Sequence, residues 1–365
     1  MLNIDTVIGA RPQFIKASTI SRSIKDHNDC SSAENIIKEN IIHTGQHYDK
    51  KMSEVFFREL EMPNPDLNLD ISNLSHGAMT ARMLEQLEKQ FTSSKPDLVL
   101  VYGDTNSTLA AALAASKLMI PIAHVEAGLR SYNNSMPEEI NRVVTDRLSN
   151  FLFCPSSNSI NNLKKEGITD SVFNVGDVMY DAVCIYKDLA RKKIKLDRWG
   201  VKEKSYALAT IHRQENTDNK ENLESILLGL KEISNQTNVV LPLHPRTKKY
   251  IESYKLEGFL DNFSVLEPVS YLEMQRLLLS ANCVLTDSGG LQKESFFHKV
   301  PCITLRGETE WTETVDLGCN ILAGSDSIKI YDAYRNLNQD SLDFHSCYGE
   351  GDSSRQIINI LLENS

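Results

Sequence analysis

The sequence predicts an α/β protein of two domains, each a parallel sheet with helices on both faces. Short apolar runs alternate with helical patterns along the chain. Each run stops at a turn carrying Gly, Pro or a charged residue before the next helix begins. A length of 365 residues exceeds what one small core organises, so two domains are expected.

In the first half, Ile4 to Ile8 is an apolar strand, and Gly9-Ala10-Arg11-Pro12 turns into a helix bearing Ile15, Ile20 and Ile24. Pro12 suits a first helical turn, where a missing N–H costs nothing. Leu98 to Tyr102 is a second strand, with Gly103-Asp104-Thr105 as its turn and the Ala-rich run Leu109 to Leu118 as its helix. Pro121 to Val125 is a third, followed by Glu126-Ala127-Gly128-Leu129-Arg130, and Phe151 to Phe153 a further one. The second half repeats the style. Tyr206 to Thr210 leads into Ile211-His212-Arg213, Val239 to Leu243 into His244-Pro245-Arg246, Cys283 to Thr286 into Asp287-Ser288-Gly289-Gly290, and Cys302 to Leu305 into Arg306. The crossover is expected near Asn174 to Asp181, which gives domains 1–173 and 174–351. The tail from Asp352 is expected to form a helix that returns to the first domain.

Composition narrows the function. Hydrophobic residues make up 41% and charged residues 24%, ordinary for a soluble globular protein, and no apolar run approaches a membrane span. The N-terminal stretch reads as the first strand, not as a secretory signal. A net charge of −10 argues against nucleic acid as a partner. Seven cysteines stand singly, with no CxxC pair, which fits reduced thiols and a cytoplasmic location.

Functional groups in such sheets sit just past the carboxyl ends of the strands. The stretch from Cys283 to Trp311 is the most informative. Ser288 is a candidate N-cap, and Gly289 and Gly290 leave bare backbone N–H groups at a helix start, which suits a diphosphate. Glu294, one turn further in, suits a neutral diol such as a ribose. The competing reading is an ordinary strand–turn–helix corner. Asp104, Glu126 and Glu138 are acids at or near strand ends, and clustered carboxylates divide acid and base roles by shifting one another's pKa. The competing reading is capping or surface acids. Arg11 and Lys16 are cations for phosphate, or else a solvated helix face. The pairs His212/Arg213 and His244/Arg246 favour a shared anionic ligand, and Arg306 and Glu310 follow the next strand. His43 and His47 flank a turn with no third histidine nearby, so a metal is not expected. No GxGxxG follows a strand, so a dinucleotide cofactor is not expected.

Eight motifs in this order carry a family resemblance: GARPQFIK (Gly9 to Lys16), TGQH (Thr44 to His47), YGDTNSTLA (Tyr102 to Ala110), HVEAGLRS (His124 to Ser131), MPEEINR (Met136 to Arg142), IHRQEN (Ile211 to Asn216), LHPRT (Leu243 to Thr247) and LTDSGGLQKE (Leu285 to Glu294). Together they resemble the non-hydrolysing UDP-N-acetylglucosamine 2-epimerases over nearly the whole chain. The resemblance implies a glycosyltransferase-B type α/β architecture, two Rossmann-like domains facing a central cleft, in a homodimer. It implies inversion at carbon 2 of a UDP-linked 2-acetamido sugar, by anti elimination of UDP to a 2-acetamidoglucal and re-addition, without metal or nicotinamide cofactor. Bacterial surface polysaccharide, including O-antigen, is the implied destination of the product.

By the same resemblance, Asp104, Glu126 and Glu138 match the catalytic carboxylates. Arg11, Lys16 and His212 match positions that bind substrate and support departure of the diphosphate. Ser288, Gly289 and Gly290 match the pyrophosphate turn, and Glu294 the ribose acid. Gln46, His47, Arg213, His244, Arg246 and Arg306 complete the expected substrate-binding set. Some positions depart from the pattern. Many members read GTRPE where this chain has Ala10 and Gln13, and an arginine follows Glu310 where this chain has Trp311. Val269 and Met274 replace glutamine and phenylalanine near the expected uracil site. Tyr48 and Asp49 replace an arginine and a glutamine that help bind an activating second UDP-sugar. The GARPQFIK and ETEW variants are closer to a branch acting on UDP-2,3-diacetamido-2,3-dideoxy-glucuronate, whose carbon 6 carboxylate would want a cation such as Arg306 or Arg82. A hydrolysing epimerase, a glycosyltransferase and a non-catalytic nucleotide-sugar sensor are the remaining alternatives.

Overall fold

The computed structural model describes residues 1–32, 35–46, 57–337, 342–344 and 347–364. The chain divides into two compact units, Met1–Ala182 with Ser346–Ser365, and Val183–His345. The division falls inside the helix Val178–Lys193, later in the chain than the expected crossover begins.

The first unit holds seven strands: β1 (Leu2–Ile8), β2 (Ile37–His43), β3 (Leu67–Asn68), β4 (Leu98–Tyr102), β5 (Ile122–Val125), β6 (Phe151–Cys154) and β7 (Val172–Asn174). Their order across the sheet is β3-β2-β1-β4-β5-β6-β7, and every pairing is parallel. Chain order reverses between β1 and β4, so the crevice beyond their carboxyl ends is the natural ligand position. Parallel strands need both faces covered, and the apolar runs supply this. One layer packs Val7, Ile42, Val99 and Val101 against Met83, Leu87 and Phe91 of helix His76–Ser94 and against the alanines of helix Asn106–Lys117. On helix Arg11–Cys30, Phe14, Ala17 and Ile20 are fully buried.

Helix Ser353–Glu363 packs on helix Arg11–Cys30. Its first two amides, on Ser353 and Ser354, donate to the Asp181 carboxylate at 3.1 and 2.7 Å, and the Ser354 and Thr19 hydroxyls meet at 2.8 Å. Ile357, Ile358 and Leu361 are buried beneath it.

The second unit repeats the plan with β8 (Tyr206–Thr210), β9 (Asn238–Pro242), β10 (Ser264–Leu266), β11 (Cys283–Thr286), β12 (Cys302–Thr304) and β13 (Asn320–Leu322), in the order β10-β9-β8-β11-β12-β13, again all parallel. Here the order reverses between β8 and β11. The register sets Thr210, Thr286 and Thr304 side by side, so three strands end level. Strands β3, β7, β10 and β13 are the four sheet edges. Each has two or three residues, too few for an apolar period to be read from sequence, and short edges limit pairing with other chains.

Among the described residues no helix is long and apolar enough to cross a membrane.

Candidate active site

In the first unit the chemistry gathers beyond β1, β4 and β5. Gly103 and Glu126 follow β4 and β5, and both have left-handed backbone, with φ of 60° and 73°. For the non-glycine Glu126 this conformation is strained, as is common at functional turns. It aims the side chain back over Gly103, where an added Cβ would lie 3.1 Å from Glu126 Oε2 and 3.6 Å from Lys16 Nζ. Lys16, buried in helix Arg11–Cys30, forms an ion pair with Glu126 there. Arg11 opens the same helix at the end of β1.

Asp104 is held by the next helix. Pro137 opens helix Pro137–Leu148, whose Asn141 Nδ2 donates to the Asp104 carbonyl at 2.8 Å and whose Arg142 pairs with the Asp104 carboxylate. Arg142 also binds Glu139 at 2.8 Å. Burial alone would raise the Glu139 pKa, but hydrogen bonds from the Ser131 amide and hydroxyl and the charge of Arg142 hold it below the usual range. Glu138 lies in the first turn, three and four residues before Asn141 and Arg142 and hence on their helix face. Helix Pro137–Leu148 thus gives Glu138 and Asp104 one carrier.

Gln13 ties the first turn to the second. Its Oε1 accepts from the Gly9 and Ala10 amides at 2.8 and 3.0 Å, and its Nε2 donates to the Tyr102 carbonyl at 2.8 Å and to Thr105 Oγ1 and Thr108 Oγ1 at 3.0 Å. Gln46 Oε1 accepts from the Ser107 amide and hydroxyl at 3.1 and 2.8 Å, so it caps the helix that follows Asp104. His47 lies outside the described residues, as do Tyr48 and Asp49.

In the second unit the organiser is Asp287, fully buried at the end of β11. Its carboxylate accepts from the His212 amide at 3.0 Å, the Arg213 amide at 2.9 Å and Asn216 Nδ2 at 3.1 Å, and lies 3.3 Å from His212 Nδ1. That fixes the turn after β8. Desolvation pushes the His212 pKa down, Asp287 pulls it up, and Arg213 adds to the lowering, which wins. Ser288 caps helix Gly289–Phe297, its Oγ accepting from the Leu291 amide at 3.4 Å. An added Cβ on Gly289 would lie 3.9 Å from Arg213 Nη2, 3.6 Å from Glu310 Oε2 and 3.4 Å from Trp311 Nε1. Bare amides, a helix N-terminus and a guanidinium therefore meet at one spot and suit an anion, with the Glu310 carboxylate at its edge.

Glu294 lies one turn inside, where Gln275 Nε2 donates to it at 2.9 Å. Gln275 Oε1 in turn contacts His298 Nε2 at 2.6 Å. Burial among Lys187, Arg191 and Lys204 drives the His298 pKa to about 3, so the ring is neutral and donates this hydrogen bond. Arg306 is buried between Glu310 at 3.2 Å and Glu215 at 3.3 Å. His244 caps helix Pro245–Tyr254 and lies 5.6 Å, ring to ring, from His212. Arg246 pairs with Asp218 and donates from Nε to Thr217 Oγ1 at 2.9 Å.

A family model for UDP-N-acetylglucosamine 2-epimerase matches residues 30–362. The chain belongs to that family. It is 51% identical to a UDP-N-acetylglucosamine 2-epimerase homolog of Methanococcus maripaludis over 99% of both chains. It is 49% identical to the UDP-2,3-diacetamido-2,3-dideoxy-D-glucuronate 2-epimerase of Pseudomonas aeruginosa, also over 99% of both. A crystal structure of the Methanocaldococcus jannaschii UDP-GlcNAc 2-epimerase with UDP-GlcNAc and UDP superposes with a TM-score of 0.89 at 42% identity, covering 99% of this chain and all of that one. The fold is accordingly α/β of glycosyltransferase-B type, and the protein is an isomerase of the UDP-N-acetylglucosamine 2-epimerase family.

Within this family member, sequence reasoning missed Asn141, Arg142, Gln13 and Asp287. All four lie inside motifs already singled out. Their partners are 37, 38, 89 and 75 residues away, and only the fold reveals them.

Proposed function

We propose that this protein interconverts UDP-N-acetylglucosamine and its carbon 2 epimer. One of Asp104, Glu126 and Glu138 takes the carbon 2 proton. The electron pair forms the carbon 1–carbon 2 double bond, and the carbon 1–oxygen bond to UDP breaks. A second acid returns a proton to the opposite face, and UDP oxygen adds back to carbon 1. A positioned acid or base of this kind contributes about 10²–10⁴-fold in rate. Lys16 and Arg11 offset negative charge in the first unit. In the second, His212, Arg213 and the Ser288-Gly289-Gly290 turn hold the diphosphate and stabilise it as it leaves. Glu294, steadied by Gln275, binds the ribose. His47, His244, Arg246 and Gln46 complete the substrate contacts. The enzyme works as a cytoplasmic homodimer, for which the exposed Tyr132 and Ile140, 65% and 53% accessible, are candidate contacts.

The observation that supports this reading most is the Lys16–Glu126 pair over Gly103, beside Asp104 with its own Arg142. Two acids at adjacent strand ends, each with a cation, suit proton transfer next to a departing anion. A second reading, epimerisation of UDP-2,3-diacetamido-2,3-dideoxy-glucuronate, draws on the 49% identity to the enzyme of that name. Against a carbon 6 carboxylate stands Arg306, already flanked by two acids.

Proton NMR in heavy water decides between them, with both UDP-sugars in parallel. The first reading expects the manno epimer of UDP-N-acetylglucosamine with deuterium at carbon 2 and UDP retained. Conversion of the glucuronate alone selects the second reading. Product without deuterium at carbon 2 overturns both, and accumulating free UDP points to hydrolysis.

A further inference from the structure

His124 belongs to none of the roles above, yet it is completely buried beneath them. It sits in β5, two residues before Glu126. Its Nε2 lies 2.8 Å from the carbonyl of Gly103, the residue before Asp104. Its Nδ1 lies 2.7 Å from Asp146 Oδ1. Asp146 is on helix Pro137–Leu148, the helix that carries Glu138. The other Asp146 oxygen accepts from the Gly128 amide at 3.1 Å and from Arg130 Nη1 at 2.7 Å. Gly128 closes the turn that Glu126 begins. One histidine–aspartate pair therefore fastens the carriers of all three acids: the Asp104 turn by its carbonyl, the Glu126 turn by its amide, and the Glu138 helix by Asp146 itself.

Both ring nitrogens are thus engaged, one with a backbone carbonyl and one with a carboxylate. Asp146 is itself held by Arg130, which also pairs with Glu166 at 2.7 Å. A completely buried polar group is held in place by such partners.

We propose that His124 is a positioning residue for the epimerisation inferred above, and that with Asp146 it locks the Asp104 and Glu126 turns and the Glu138 helix in register. It touches no substrate. Its bond to the Gly103 carbonyl fixes the left-handed Gly103 turn, and the acids gain their mutual spacing from it. Small displacements of reacting groups, near 1 Å, cost about 10²-fold in rate.

The test uses the full-length protein, and kinetics separate positioning from folding. His124→Phe should lower kcat about 10²-fold with KM for the UDP-sugar near the wild-type value, because the proposed diphosphate contacts lie on other residues. His124→Gln, whose amide N–H can reach the Gly103 carbonyl, should recover part of kcat at the same KM. Wild-type kcat in His124→Phe overturns the proposal, and so does a raised KM with kcat unchanged. If that variant does not fold, Asp146→Asn takes its place, and it should lower kcat at unchanged KM. A wild type that turns over neither UDP-sugar overturns the functional reading and the proposal with it, whereas an active wild type matched by His124→Phe overturns the proposal alone.

Discussion

The two units share a topology but use their strand ends differently. Beyond β1, β4 and β5 the first unit presents charged side chains, each answered by another: Lys16 by Glu126, Asp104 by Arg142, Arg142 by Glu139. Beyond β8 and β11 the second unit presents backbone. A buried carboxylate, Asp287, collects the amides of one turn, and a serine-capped glycine pair opens the amides of the next. The first arrangement can move protons, since its ionisable groups are many and close. The second suits holding an anion on backbone amides, with His212 and Arg213 beside them. On the proposed function, a fold used twice divides chemistry from binding through the residues placed just past its strands.

The largest expected effect breaks the first half of that contrast. Asp104→Asn, Glu126→Gln and Glu138→Gln should each reduce kcat by about 10²–10⁴-fold while KM changes little and the protein stays folded, with Glu126→Gln the least stable because it leaves buried Lys16 without its counter-charge. Steady-state kinetics beside thermal melts checks this. If all three variants keep full activity, the acids do not carry the reaction. A variant that raises only KM has lost a binding group instead.

The second effect tests the binding half. Asp287→Asn keeps the volume but leaves one acceptor oxygen for donors that now share two. A buried donor left unsatisfied costs about 1–3 kcal/mol. The His212–Arg213 turn should loosen, so urea unfolding should show lower stability and KM for the UDP-sugar should rise while kcat falls less than in the acid variants. If kcat collapses at unchanged KM, the turn serves the chemical step, and the division between the units is wrong.

Much of this was legible in the sequence, for a physical reason. Strand ends are marked by apolar runs stopping at Gly, Pro or a charge, so Arg11, Asp104, Glu126, His212, Ser288 and Arg306 could be placed from local pattern alone. Their partners could not. Gln13 reads as a variant letter in a first turn until its amide is seen bridging Gly9 and Tyr102. Asp146 and His124 look like an ordinary helix acid and a strand residue, and only the packing of Pro137–Leu148 on β5 joins them. Arg246 stands at a strand end as Arg213 does, and its pairing with Asp218 and Thr217 is likewise invisible in the sequence. Sequence gives the position of a cation and not what competes for it.

The smallest effect concerns a departure beside the Ser288-Gly289-Gly290 turn. Lys293, almost fully buried, places its ammonium 3.9 Å from the centre of the Trp311 ring, where the family pattern has an arginine. Two cations could not share that buried space cheaply, so the tryptophan fits the lysine: the ring face attracts the charge and its bulk excludes water. Trp311 also lies against Gly289, so the pair braces the glycine turn. A desolvated cation–π contact contributes about 2 kcal/mol, an exposed one about 0.5–1 kcal/mol. A double-mutant cycle of Lys293→Met and Trp311→Leu isolates the contact from the burial each residue brings. Urea denaturation should give a coupling energy of about 1–2 kcal/mol. Trp311→Arg should be less stable than Trp311→Leu, because it adds charge beside Lys293, and Lys293→Glu should rescue it. No coupling and no rescue would leave Trp311 as packing alone. The second unit's binding turn would then rest on Asp287 and Ser288 without a charged brace.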